Sequence, residues 1–168
     1  MHGLAIGKQA SVLSSWITHS IESYDPKTQD WSFYVRTGIS NLTKSEPVPF
    51  NANEIENFLK VNAPEASTWP GHHEIQWWST LRDDGGDLIA TAAVVKWKSN
   101  AFCLVSMTVE KKNRDRGIGR LLLRQILHEA SCMQIDVLGL GVHSSNIPAM
   151  KLYESEGFRK LHSFKSGS

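Results

Sequence analysis

The chain has 168 residues, 40% of them hydrophobic, which suits a single domain with one sizeable core. Its 18 Lys and Arg against 17 Asp and Glu leave a net charge of +1, so no overall field recruits nucleic acid or an anionic membrane. There is no basic-then-apolar leader and no apolar run of membrane-spanning length, and the two cysteines, Cys103 and Cys132, read as reduced thiols rather than a disulfide. The expected setting is the cytoplasm, with no membrane partner.

Val12, Leu13, Trp16, Ile17, Ile21 and Tyr24 share one helical face, which predicts a helix over 10–24 that Asp25-Pro26 ends. Trp31, Phe33 and Val35 alternate with polar residues and predict a half-buried strand near 31–37. Asn41-Leu-Thr43 fits the glycosylation pattern, but without an export signal it reads as chance. Pro47 and Pro49 mark a loop, after which Asn53 is expected to cap a helix carrying Ile55, Phe58, Leu59 and Val61. Residues 63–73 read as irregular. His72-His73-Glu74 are adjacent on one segment and no second cluster supplies further ligands, so no metal is expected.

Strands over 74–81 and 88–97 flank the hairpin turn Asp83-Asp-Gly-Gly-Asp87, and Ser99-Asn100 turns into a third strand at 102–109. Trp77, Trp78 and Trp97 on these strands are expected to pack rather than to form a binding platform. Past a polar stretch, Gly117 and Gly119 lead into a helix with an apolar stripe of Leu121, Leu122, Ile126 and Ala130, widened by Leu123 and Leu127. Arg120, Arg124 and His128 fall opposite. Glycines lack side chains, so successive N–H groups there can close on an anion at the positive end of the helix dipole. Lys111, Lys112, Arg114, Arg116 and Arg120 surround the turn with enough charge for more than one phosphate. Neither the P-loop pattern nor a dinucleotide fingerprint fits. Residues 135–142 read as a strand buried on both sides and parallel to the third. A helix begins near Asn146 with Pro148 in its first turn and stops at Gly157, and 158–164 reads as one more strand.

Arg-x-x-Gly-x-Gly at 114–119, following Val109, resembles the acetyl-CoA pyrophosphate motif of the GNAT superfamily of N-acetyltransferases. Asn146-Ile-Pro-Ala149-Met-Lys-Leu152-Tyr153-Glu-Ser-Glu-Gly157-Phe158 is similar to that family's Asn-x-x-Ala-x-x-Leu-Tyr-x-x-x-Gly-Phe. The resemblance is specific over 74–160. It implies an α/β fold with a mixed sheet, in which antiparallel strands lead into a parallel β-α-β core and the 31–37 strand comes first in order. Residues 1–28 would be a helical extension and 29–168 the N-acetyltransferase domain. It also implies acetyl-CoA as cosubstrate: the backbone of Met107, Thr108 and Val109 pairing with the pantetheine arm, and Arg114, Asp115, Arg116, Gly117, Ile118, Gly119 and Arg120 holding the pyrophosphate. Asn146 matches the pantetheine-contacting asparagine and equally reads as a plain N-cap; the two roles are compatible. Tyr153 matches the tyrosine that protonates the leaving thiolate, and a phenol with an ordinary pKa near ~10 carries that proton at neutral pH.

The pattern departs from the family in two places. Some members carry a glutamate on the strand before the asparagine motif, where this chain has Gly141, and 102–109 contains no carboxylate. The general base stays open among His143, Glu110, water and an amine that arrives neutral. After Phe164 only Lys165-Ser-Gly-Ser168 remains, too short for the family's final strand. A last strand at 158–164 would leave an exposed edge or an adjoining gap, and the expected cover is the 10–24 helix or a second copy in a homodimer. The function implied is an N-acetyltransferase that moves an acetyl group to a primary amine of a small molecule or protein by direct attack in a ternary complex. The alternative is a catalytically silent acyl-CoA-binding or interaction module. The charge balance and the lack of a recognised motif oppose a nucleic-acid partner.

Overall fold

The computed structural model describes residues 31–39, 42, 49–63, 74–98 and 101–164. Along the chain lie β1 (Trp31–Arg36), α1 (Ala52–Asn62), β2 (Glu74–Arg82), β3 (Leu88–Lys98), β4 (Ala101–Val109), a 3-10 turn Lys111–Asn113, α2 (Ile118–Cys132), β5 (Leu138–His143), α3 (Ile147–Ser155) and β6 (Arg159–Phe164). The strands make one sheet in the order β2-β3-β4-β5-β1-β6. β2, β3 and β4 pair antiparallel, and β4 pairs parallel with β5 across α2, as the alternation of strand and helix patterns implies.

Side-chain alternation along the strands feeds two cores. On one face Leu122, Leu123, Ile126, Leu127 and Ala130 of α2 pack with Ala90, Ala92, Val94, Leu104 and Leu140. On the other, Ile55, Phe58 and Leu59 of α1 pack with Trp78, Ala93, Val95, Cys103 and Val105. Trp77 and Trp78 therefore join opposite cores, both as packing groups. Each fully buried Leu, Ile or Phe contributes about 1.5–3 kcal/mol. Two positions differ from the predicted stripes, Leu121 at 54% exposed and Val61 at 68%, each off the face its helix buries.

Three further expectations change. Asn51, not Asn53, caps α1: its side-chain oxygen accepts the Glu54 N–H at 3.1 Å because the helix begins at Ala52. β5 begins at Leu138 rather than residue 135, since the Ile135 N–H bonds the Ala130 carbonyl (2.9 Å) and closes the end of α2. The largest change concerns β1. It is not the first strand of the antiparallel half but lies between β5 and β6, antiparallel to both. The gap expected beside the last strand is thus filled by residues 31–36, with Ser32, Tyr34 and Val35 all buried. The expected helix over 10–24, Asn41 and Thr43 of the glycosylation pattern, residues 64–73 with His72 and His73, Trp97's side chain and residues 165–168 lie outside the described residues. No described helix is long and apolar enough to cross a membrane.

Candidate active site

β4 carries a bulge. Thr108 pairs with Thr91 and Val105 with Ala93, so two β4 residues, Ser106 and Met107, face one β3 residue, and Ser106 takes φ 56°. Pairing of β4 with β5 ends at Leu104 with Leu140. Past that point the two strands are no longer paired, and a cavity of about 460 Å³ lies against the end of β4. Met107, Thr108 and Val109 form one wall, Asn113, Arg114, Asp115, Gly117, Ile118, Gly119 and Arg120 the turn, and Ala63, Pro148, Ala149 and Leu152 the rest.

The turn is shaped to receive an anion. Asp115 (φ 65°) and Gly117 (φ 78°) are both left-handed, which turns successive N–H groups toward one side. Gly117 is the N-cap of α2, no side chain caps it, and no acidic residue stands in the first turn. The first-turn N–H groups have no partner inside the helix and meet the cavity with the dipole's positive end. A Cβ on Gly119 would lie 3.4 Å from Met107 Cε and 3.6 Å from Leu152 Cδ2, so glycine keeps this corner open.

The cations are arranged less simply than the sequence suggests. Arg114 donates from Nε to the Val109 carbonyl (3.0 Å) and from Nη2 to the Asn62 carbonyl (3.0 Å). Arg120 pairs with Glu156 at 3.2 Å and donates to Ser155 Oγ at 2.8 Å. Both line the cavity yet brace it, one against α1 and the other against the end of α3. Arg116 is exposed, lies off the cavity and reaches Asn113 Oδ1 at 3.4 Å. Asn62 completes the brace: its side-chain oxygen accepts the Lys111 N–H (3.2 Å) and its amide donates to the Phe58 carbonyl (3.0 Å).

Asn146 caps α3 by accepting the Ala149 N–H at 3.2 Å. Tyr153, 9% exposed, lies beneath the cavity, and its hydroxyl points at the Met107 sulfur, 3.8 Å away. Burial pushes its pKa up to about 12, so the phenol holds its proton across the physiological range. His143 ends β5, half-exposed, its pKa lowered by partial burial. Glu110 is held by Lys112 (3.5 Å) and by the Asn113 amide (3.0 Å) at the start of the turn.

Of the residues picked from the sequence, Met107, Thr108, Val109, Arg114, Asp115, Gly117, Ile118, Gly119 and Arg120 line one cavity; Arg116, Asn146 and Tyr153 do not line it, though Tyr153 reaches the lining residue Met107. Ala63, Asn113, Pro148, Ala149 and Leu152 were missed. Pro148, Ala149 and Leu152 stand inside the second motif, on the face of α3 that carries its Ala and Leu, and could have been read from it. Ala63 enters only through the tertiary link between Asn62 and Arg114.

Residues 42–158 match the acetyltransferase (GNAT) family. Over 80 residues the chain is 32% identical to [ribosomal protein bS18]-alanine N-acetyltransferase of Salmonella typhimurium, covering 48% of this chain and 54% of that protein. Over 78 residues it is 33% identical to N-acetylaspartate synthetase of Rattus norvegicus, covering 46% of this chain and 26% of that one. The chain thus spans about half the length of the first relative and about a quarter of the second. In structure it is similar to a GNAT-family acetyltransferase of Novosphingobium aromaticivorans, with a TM-score of 0.64 at 22% identity over 80% of this chain and 61% of that one. The family match spans more than half of the sequence and contains both motifs and every residue that lines the cavity, and the chain belongs to the acetyltransferase (GNAT) family.

Proposed function

We propose that this chain is an acetyl-CoA-dependent N-acetyltransferase that moves an acetyl group to a primary amine of a small molecule or protein, by direct attack in a ternary complex. The observation that carries the reading is the convergence on one cavity of an uncapped, left-handed glycine turn and the unpaired edge of β4, with a protonated phenol directly beneath.

The residues present fit acetyl-CoA. Gly117 and the first turn of α2 offer N–H donors to a pyrophosphate, and nothing lies within 4 Å of where a Gly117 side chain would begin. Among the described residues, the edge of β4 past Leu104 has no strand partner on its β5 side, and it can accept an extended amide chain as an added strand. When bound, acetyl-CoA supplies the acetyl group as a thioester. Arg114 and Arg120 hold the walls of the cavity in place, which keeps the two reactants oriented. Tyr153 holds a proton on its hydroxyl for a departing thiolate. His143, neutral at pH 7 with its lowered pKa, is one acceptor for the amine's proton; water is another.

One relative is named for an alanine of a ribosomal protein and another for N-acetylaspartate, and both names support nitrogen as the acceptor. The cysteines are free, Cys103 buried and Cys132 half-buried, which supports a reducing compartment such as the cytoplasm. The test is acetyl-CoA turnover against a panel of amines and amino-terminal peptides, read as free thiol, beside calorimetric CoA binding. Thiol release with at least one amine is expected. Tight CoA binding without turnover on any amine would assign the chain to a silent acyl-CoA-binding module, the reading that Gly141 in place of a glutamate favours.

A further inference from the structure

We propose that β1 is a positioning strand for the proposed proton donor, and that Tyr34 is the residue through which it aims Tyr153. This rests on the acetyltransferase reading above for its kinetic consequence, though not for its geometry. α3 fully buries one of its nine residues, Tyr153, while Ala149, Met150 and Leu152 pack against the core partly buried. So narrow an apolar face leaves polar contacts around the helix ends to help set where the phenol points.

Three alternate side chains of β1 make those contacts. Ser32 Oγ meets Ser144 Oγ at 2.8 Å, ahead of the Asn146 cap. Tyr34 donates its hydroxyl to Glu154 Oε1 at 2.8 Å, next along the chain to Tyr153. Arg36 donates from Nε to the Glu156 carbonyl at 3.2 Å, just past the helix end. The period of two on a strand places residues 32, 34 and 36 on one face, so one strand grips α3 before its start, near its end and beyond it. Gly157 belongs to this grip: at φ 93° it accommodates the last contact, and a Cβ there would come within 2.6 Å of Arg36 Nε.

Tyr34 is fully buried, and its ring centroid lies 6.3 Å from that of Tyr153 in a tilted arrangement. Phe158 also meets the Tyr153 ring, at 5.9 Å and edge to face. The Tyr153 ring is therefore held by both β1 and the residue that leads into β6, an aromatic clamp. β1 precedes residue 42, where the family match begins, so the clamp is supplied from outside the matched segment.

The experiment uses the full chain with Tyr34→Phe, which keeps the ring and removes the bond to Glu154, and with Glu154→Gln as a milder second variant. We expect kcat to fall about tenfold in Tyr34→Phe with KM for acetyl-CoA and CoA affinity unchanged, and less in Glu154→Gln. In a Tyr153→Phe background the Tyr34→Phe change should lower kcat no further, because the phenol it aims is gone. A full, multiplicative loss in that background, or a wild-type kcat in Tyr34→Phe, would overturn the proposal. A second readout does not need turnover. In protein labelled with 13C at the tyrosine ring, the Tyr153 titration should fall toward the ordinary phenol range in Tyr34→Phe, as a loosened phenol gains water. An unchanged titration in a folded variant would also overturn it. If the wild type binds CoA but acetylates no amine, the acetyltransferase reading fails while the titration still decides the clamp.

Discussion

The hydroxyl of Tyr153 on α3 faces the sulfur of Met107 on the bulged end of β4, 3.8 Å away, so the two motifs meet at one phenol. Tyr153→Phe removes only that hydroxyl. Turnover is expected to fall by about 10²-fold or more, the lower range for a positioned proton donor, with CoA affinity nearly unchanged. Steady-state kinetics with calorimetry checks both. Wild-type turnover by the Phe variant on a good acceptor would assign Tyr153 to packing.

The same burial makes a prediction about alkaline stability. The pKa of Tyr153 rises from 10.0 to about 12 on folding, because burial disfavours the phenolate. A raised folded pKa means that the contribution is fully present below pH 10 and is lost as pH climbs toward 12. Two pKa units correspond to about 3 kcal/mol at the end of that window. Denaturant titrations at pH 9 and at higher pH should show a steeper loss in the wild type than in Tyr153→Phe. Equal slopes would show that the phenol is not protected.

Asn62→Ala tests the brace between α1 and the glycine turn. It removes the side-chain acceptor of the Lys111 N–H, leaving that half-buried group without this partner, and the second donor to the Phe58 carbonyl, which keeps its place in the ladder of α1. The expected cost is about 1–3 kcal/mol of stability. Weaker CoA binding should accompany it, because Ala63 and Arg114 both line the cavity. Affinity equal to wild type in a destabilised but folded variant would confine Asn62 to the fold.

The two glycines should respond differently. Gly117→Ala meets open space but places a side chain on a residue at φ 78°, costing roughly 1–2 kcal/mol. Gly119→Val adds branches beyond a Cβ already 3.4 Å from Met107 Cε, narrowing the corner where backbone and phosphate are expected to approach. CoA affinity should drop sharply for Gly119→Val, and calorimetry on the folded variant reads it. Unchanged affinity would remove the turn from the donor site.

Much of the sheet's right-hand half was legible because its signals are local. Asp83-Asp-Gly-Gly-Asp87 forms its turn through Asp83, whose side chain accepts the N–H of Gly85 and of Asp87, and both motifs fold where their spacing puts them. The alternation in 31–37 marks β1 as a strand but not its place in the sheet, since nothing within those residues states which distant strands it pairs. Its polar Ser32 and Tyr34 read as a solvent face, yet both are buried, because Ser144 and Glu154 satisfy them. By sequence Arg114 and Arg120 are cations beside a phosphate turn. Sequence spacing cannot reveal that carbonyls of Val109 and Asn62, and the Glu156 carboxylate, already engage them.

The position of β1 has a consequence for how the chain reaches its native state. Trp31 pairs with His143 and Phe164, so β1, the earliest strand among the described residues, finds its partners only after the last described residues exist. Closing loops of more than about 100 residues slows folding, and until then β1 is an unpaired strand with edges open to other chains. Moving residues 31–36 behind residue 164 through a short turn would convert that long closure into a hairpin with β6. Such a rearranged chain is expected to refold faster than the natural order, and stopped-flow refolding of the two would measure the delay that the natural topology imposes.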